Sequence, residues 1–300
     1  MSRFVYAAQV ATTWLSLCGL ANAAVEVGWV EAATSQHGTT VIQRGPERVS
    51  VTRFQTLQVG DVLSATEDAR IDIRLGEDRN VFAVTAANSP YLIQRVGEVP
   101  RVWSKMLGWL QELALRKVGK EKFGGDRVAI AASRAGNANF ELLSFGMFSN
   151  PEYFLLAGQR DLHLVWHGGV APFSVYLTNK QTNAVIGQQA SVSVRETTLT
   201  SVALEPDIYL LRVADAKGAS HLMRIAVLER NAEPHTNGFL GSELLTEPQR
   251  TLANAMELAT QPSKKWQFEA YQQLSTIDSP EALFLREAIL RGDALPHFNP

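Results

Sequence analysis

The run Leu57–Val84, LQVGDVLSATEDARIDIRLGEDRNVFAV, decides how the chain is read. Ala69, Ile71, Ile73 and Leu75 alternate with Arg70, Asp72 and Arg74. Successive strand side chains point to opposite faces, so this period of two gives one apolar and one charged face. Gly76-Glu77-Asp78-Arg79-Asn80 is a turn cluster, and VFAV returns as the next strand. Upstream, Gly60-Asp61 turns the chain just before Val62-Leu63. TTVIQRG and RVSVTR read as further short strands, so Val25 to about Val96 is expected to be an all-β unit.

Outward from that unit the period changes. Trp103, Met106, Leu107, Leu110, Leu113 and Ala114 fall on one stripe of a helix over about Arg101–Lys117. Trp109 and Leu115 lie off the stripe, giving the helix more apolar surface than one seam needs. It ends in Lys117, Lys120 and Lys122, which suit a helix C-terminus, and then Gly124-Gly125 makes a hinge or a stop. The expected role is packing across the join between two β units. The alternative is an amphipathic surface for a partner or a membrane face.

A second β pattern runs from about Val128 to Glu229. Leu162, Leu164 and Trp166 alternate with His163, Val165 and His167, and Trp166 is the natural centre of a sandwich core. Tyr209 stands where a tyrosine corner would turn its hydroxyl back to the backbone. The spacing predicts an immunoglobulin-like sandwich over 126–230. The tail, 231–300, reads as a linker and three short helices. Thr246-Glu247-Pro248-Gln249 is a capping box, Pro262 ends that helix, a second carries Trp266, Ala270, Tyr271 and Leu274, and Ser279-Pro280-Glu281 starts a third with Leu283, Ala288 and Ile289. The Ala/Tyr/Leu spacing is similar to one tetratricopeptide-like hairpin. Three helices are too few for a solenoid, so a small bundle docked on the sandwich is expected. The fold class is mainly β.

Three hundred residues suit about two domains at ~150 residues each. A net charge of −2 excludes the basic footprint of a nucleic-acid-binding protein. Residues 1–23 have the form of a secretory leader: Arg3, an apolar run Phe4–Leu20, and Ala21-Asn22-Ala23 as a cleavage signal. Cleavage after Ala23 places the chain in the periplasm or outside the cell and takes the net charge to −3 by loss of Arg3. A retained anchor and lipidation at Cys18 are the alternatives; Leu17 precedes Cys18 where a lipid site has a small residue. Cys18 is the single cysteine, so the mature chain has no disulfide, thiolate metal site or cysteine nucleophile. No later run is long and uncharged enough to span a membrane.

Chemistry-bearing patterns are sparse. His163 and His167 are four apart on one strand face, roughly 13 Å at ~3.3 Å per residue, too far to share a metal. Glu77, Asp78 and Asn80 lack EF-hand spacing and read as a solvated turn. His37 sits in a polar loop with no base partner, and Gly168-Gly169 is a turn without the Lys-Ser/Thr of a phosphate loop. No nucleophile or zinc motif is present. The expectation is a non-enzymatic protein with no catalytic, cofactor or metal residues. Exposed aromatics on the sandwich, Tyr153, Phe154, Phe173 and Tyr176, are the candidates for a glycan-binding alternative. A hydrolase with a dispersed site is the third reading.

The segment Val27–Val96 resembles the FecR domain, on Leu57, Gly60, Asp61, Leu63, Thr66, Ala69, Ile71, Ile73, Leu75, Gly76 and Asp78. The resemblance covers about a quarter of the chain. It implies a periplasmic β-rich module used for protein–protein contact. The name-giving member relays the state of an outer-membrane ferric-citrate receptor to a sigma factor through a membrane span. Here a leader stands in place of the family's cytoplasmic helical segment and span, so the module is what carries over. The family supplies no catalytic residues. The expected partner is another envelope protein, with cell-wall glycan as the alternative.

Overall fold

The structure, a computed structural model, describes residues 25–76, 81–94, 97–122, 142–145, 150–234 and 245–296. The leader with Cys18, the acidic turn Glu77–Asp78–Asn80 and Gly124–Gly125 lie outside the described residues. The fold is mainly β: fifteen strands and four α-helices among the described residues.

The first unit has eight strands: β1 (Glu26–Thr34), β2 (Thr40–Arg44), β3 (Glu47–Ser50), β4 (Thr56–Gln58), β5 (Val62–Ala65), β6 (Arg70–Leu75), β7 (Val81–Thr85) and β8 (Tyr91–Leu92). They form two sheets, ordered β4-β1-β6-β7 and β3-β2-β5-β8. Ala69, Ile71 and Ile73 are buried as their alternation predicts, and share a core with Val27, Val30, Ile42, Leu57, Leu63 and Val84. The opposite face of β6 is ion-paired rather than simply solvated. Arg70 reaches Asp72 at 2.8 Å and Arg74 reaches Glu31 at 2.7 Å.

Asp61, in the Gly-Asp turn, is buried. It accepts Nε and Nη2 of Arg44 at 2.9 and 2.7 Å and the backbone N–H of Gln58 at 2.8 Å. The same Nη2 donates to the Thr56 carbonyl at 2.9 Å. This hydrogen bond to Asp61 raises the Arg44 pKa against the opposing cost of burial. Gly60 precedes it at φ +92°, a conformation that L side chains resist. The turn therefore ties strands of both sheets through one buried carboxylate.

The second unit is an immunoglobulin-like sandwich. Its strands are β9 (Tyr153–Leu156), β10 (Gly158–Val165), β11 (Phe173–Asn179), β12 (Val185–Val192), β13 (Glu196–Leu204), β14 (Asp207–Ala214) and β15 (Ser220–Leu228). A five-stranded sheet, β12-β11-β14-β15-β9, faces the pair β10-β13. β9 runs parallel to β15, and the chain then crosses to the other sheet at Gly158, φ +141°. A Cβ there would meet the Arg230 guanidinium at 2.8 Å. Trp166 is fully buried and meets Phe173 edge-on at 5.2 Å. The Tyr209 hydroxyl donates to the Glu205 carbonyl at 3.0 Å and accepts the Glu205 N–H at 3.2 Å, which is the corner its position predicts.

Helices fill the space between the units. α1 (Arg101–Lys122) buries Trp103, Met106, Leu107, Leu110 and Leu113, and also Trp109, whose Nε1 donates to the Pro296 carbonyl at 3.0 Å. The off-stripe Trp109 is thus part of the core, and the reading of α1 as a free partner or membrane surface is corrected. Its apolar face is already occupied; among the large apolar side chains described on α1, only Leu115 stays exposed. No helix among the described residues is long and apolar enough to cross a membrane.

The tail forms α2 (Glu247–Ala259), α3 (Gln267–Leu274) and α4 (Pro280–Arg291). Gln249 accepts the Thr246 N–H at 2.9 Å, and Ser279 accepts that of Ala282 at 3.2 Å. Leu283 is exposed and Phe284 is buried in its place, one position later on the helix. The expected docking on the sandwich alone is also corrected, because the tail bridges both units. Trp29 of β1 donates from Nε1 to Glu281 at 3.0 Å and stands edge-on to Trp103 at 5.8 Å. Phe54 packs on Phe284 at 5.1 Å.

Removing one partner of a buried ion pair leaves the other uncompensated, a cost of about 3–5 kcal/mol. Asp61→Ala is therefore expected to destabilise the protein by about 3 kcal/mol in urea unfolding, the low end because Arg44 keeps some solvent contact. A loss below about 1 kcal/mol would show that the turn holds without its carboxylate.

Candidate functional site

Two adjoining clefts flank the loop between α3 and α4. The first, about 470 Å³, lies between the edge of β10 and α3 and is lined by Arg160, His163, Arg230, Glu233, Glu269 and Gln272, among others. The second, about 610 Å³, lies between β1 and the start of α4 and includes Glu31, Arg53, Asp278, Ser279 and Arg286. Thr276 lines both.

The floor of the first cleft is a lock. Glu269 is buried and accepts the Leu156 N–H at 3.0 Å and Arg160 Nη1 at 2.7 and 3.0 Å. Gln272, one turn on, accepts the His163 N–H and donates to the His163 carbonyl, both at 2.8 Å. Its carboxamide thus pairs with β10 as a neighbouring strand would. The Phe154 N–H donates to the Lys265 carbonyl at 2.9 Å. A sheet edge presents unpaired N–H and C=O groups, and here α3 satisfies those at the point where the chain changes sheets.

The single-residue candidates resolve as structural parts. His163 is half-buried, its Nδ1 3.2 Å from the Thr198 hydroxyl, and burial lowers its pKa. His167 lies beyond the end of β10, in a bridge to Ser144, so the two histidines do not share a strand face. The His37 loop is held by Asp68, which accepts backbone N–H groups of Gln36, His37 and Gly38 at 2.7, 3.1 and 2.8 Å, and these lower its pKa. Gly168 presents its carbonyl to Arg195 Nε at 3.0 Å. Among the described residues no group of three or more His, Cys, Asp or Glu could hold a metal ion.

The four aromatics proposed as a sugar platform are separated. Tyr153 and Phe173 occupy inward positions of β9 and β11 and are buried. Phe154 faces out but is covered by Trp266, edge-on at 5.3 Å, and by Lys265 at 4.9 Å. Tyr176 alone remains on the outer face of the five-stranded sheet, half-buried beside Arg212 and Leu222. Alternation set the phase correctly within each strand, but not which phase faces the core.

What the sequence reading missed is a surface at the rim of the first β unit. β7 and β8 each end one of the two sheets, and their rings meet, Phe82 and Tyr91 at 4.7 Å. Phe82 is 41% exposed, Leu92 51%, Val81 44% and Val59 45%. The Gly60 N–H bonds the Ile93 carbonyl at 2.9 Å and brings the Val59 turn alongside β8. The C-terminal end of the β7 edge is partly occupied by a side chain. Asn88 donates to the Ala83 carbonyl at 2.9 Å and accepts the Thr85 N–H at 2.7 Å. The sequence signal was present in VFAV, whose first two residues are both apolar where a half-buried strand alternates.

No family model matches the sequence, and no curated protein matches it. Loose structural likenesses cover parts of the chain. CopC from Methylosinus trichosporium OB3b is 18% identical, covering 27% of this chain and 87% of that one, with a TM-score of 0.22. The ZIG-8–RIG-5 IG1–IG1 heterodimer is 16% identical over 35% and 100%, at 0.21. Dpr1 IG1 bound to DIP-eta IG1 is 15% identical over 30% and 100%, also at 0.21. Likeness of this degree assigns neither a fold nor a function, and the sandwich rests on its own strand order.

Glu257 on α2 is buried, and its Oε2 has no hydrogen-bond partner among the described residues. Burial pushes its pKa up to about 7 from 4.5. As pH rises from 4.5 through about 7, the unfolded chain gives up this proton while the folded chain keeps it. Stability therefore falls across that window, and the loss is complete above it. Glu257→Gln is expected to raise the melting temperature clearly at about pH 8 and little at about pH 5. Equal shifts at both would show that the carboxyl does not titrate in the fold.

The lock makes its own prediction. Gln272→Ala is expected to speed hydrogen exchange at the His163 amide, and Glu269→Gln at that of Leu156, because each loses its acceptor or keeps a weaker one. Unchanged protection at both amides would show that α3 is held by apolar packing alone.

Proposed function

We propose that the protein is an exported, non-enzymatic scaffold of the cell envelope that binds another envelope protein through its first β unit. The export step rests on the form of residues 1–23, and the FecR-like reading rests on the residues of the Gly60-Asp61 turn and β6. The observation that carries the proposal is the aromatic pair Phe82–Tyr91 where β7 and β8 meet, with Phe82 exposed and Val59, Val81 and Leu92 exposed on the same two edges. Exposed apolar residues scattered singly need no explanation. An aromatic pair at an open sheet edge, Phe82 on Tyr91 at 4.7 Å, is the kind of anchor a contact surface uses, while Val81 and Leu92 alternate to the outer faces of their sheets. Asn88 adds specificity by occupying the Ala83 carbonyl and the Thr85 N–H, so a partner gains less by extending the sheet there than by fitting side chains.

This rim lies apart from the packing of the tail, so it can be altered without disturbing the join between the units. Phe82→Ser with Leu92→Ser is expected to abolish a crosslink formed in the native host's envelope by a photoreactive residue at position 81. The melting temperature should change little, as surface substitutions usually cost under about 0.5 kcal/mol. Retention of the same crosslinked protein by the double variant would overturn the proposal. Deleting Val25–Val96 is a poor substitute, because it also removes Trp29 and Phe54 from the core.

A further inference from the structure

The 610 Å³ cleft at the junction holds more hydrogen-bond donors than it can use. Arg286, half-buried on α4, makes no hydrogen bond or ion pair with any described residue. Arg53 spends only part of its guanidinium. Its Nε donates to the Glu31 carbonyl at 3.0 Å and its Nη2 to the Pro280 carbonyl at 3.3 Å. It lies against the rings of Phe54 and Phe284, 4.8 and 5.2 Å from their centres, which fixes its plane. Burial lowers its pKa; Glu281, Glu287 and Glu31 act on it at longer range, and none is its ion-pair partner.

The acceptors around these cations are mostly committed elsewhere. The Glu31 carboxylate takes Arg74 at 2.7 Å, and Glu281 turns to Trp29 at 3.0 Å. Ser275 and Thr276 donate inward to the Tyr271 and Gln273 carbonyls at 2.8 and 2.7 Å. Asp278 stands exposed on the rim. In the adjoining cleft, Arg230 donates from Nε to the Ala157 carbonyl at 3.2 Å and has no carboxylate partner among the described residues. A guanidinium carries five donors in a planar fork that matches a carboxylate.

We propose that this cleft binds an acidic segment of the partner protein, with its carboxylates taken by Arg286 and Arg53. The inference rests on the scaffold reading above and names the chemistry of the partner. The segment would touch β1 and α4 together, so it would read the assembled molecule rather than either part. The match is one of hydrogen bonding: guanidinium donors unspent on the protein side and carboxylate acceptors on the other.

The test is fluorescence anisotropy of a dye-labelled oligoglutamate peptide with the full mature chain. Binding that weakens about tenfold in Arg286→Gln, and is unchanged in Arg212→Gln on the outer face of the sandwich, is the expected result. Arg53→Lys should weaken it too, because an ammonium keeps the charge but lacks the fork. Melting curves of each variant separate loss of binding from loss of fold. Absence of binding by the unaltered chain overturns the proposal, as does equal loss in the Arg286 and Arg212 variants. Displacement of the peptide by glutarate at matched carboxylate concentration also overturns it, because the site would then be one for small dicarboxylates. If the rim crosslinks survive while the peptide fails, the scaffold reading stands and only the cleft's role falls.

Discussion

The structure depends on the contacts made by one short helix. α3 places Glu269 and Gln272 against backbone that the sandwich cannot satisfy on its own, where β9 leaves one sheet and β10 enters the other. A buried N–H without an acceptor costs as much as a lost hydrogen bond, so this crossing needs an outside partner. Once α3 is seated, α4 is directed toward the first unit, where Glu281 and Phe284 meet Trp29 and Phe54. α1 completes the arrangement through Trp103 and Trp109, the latter bonded to Pro296 beyond the end of α4. Residues from both β units, α1 and the tail consequently belong to one apolar cluster.

Local features were legible in the sequence because a local cause fixes them. The alternation of β6, the corner at Tyr209 and the caps at Thr246 and Ser279 each involve residues within a few positions, and each appears as read. The links that set the architecture are distant. Trp29 and Glu281 are 252 positions apart, and Arg160 and Glu269 are 109 apart. Periodicity shows that Glu269 and Gln272 lie on a helix; it cannot show that their helix face meets a sheet edge. The tail was therefore read as an attachment to the sandwich when it joins both units.

The same limit explains the aromatics. Tyr153 and Phe154 are neighbours in sequence and opposite in the strand, one in the core and one outside. A period of two separates them without saying which is which. Phe82 was overlooked for the converse reason: an apolar pair at the start of a strand reads as a core segment, and its exposure follows from β7 being the last strand of its sheet. Position in the sheet order, which the sequence does not encode locally, decides whether such a residue is packing or surface.

The two ends of the first β unit are treated differently, and this bears on function. Toward the tail, Trp29 and Phe54 are covered and joined to the main core. At the far rim, Asn88 occupies the Ala83 carbonyl and the Thr85 N–H of β7, yet Phe82 and Leu92 remain exposed. If exposure there were only incomplete packing, an edge protected against aggregation would gain from polar residues at these positions as well. Occupying part of the backbone edge while keeping side-chain apolarity instead suits a selective contact: it disfavours generic strands and retains the surface that a matching partner would bury. The join at the opposite end is built from side-chain packing, where Trp29 and Phe54 meet Glu281, Trp103 and Phe284.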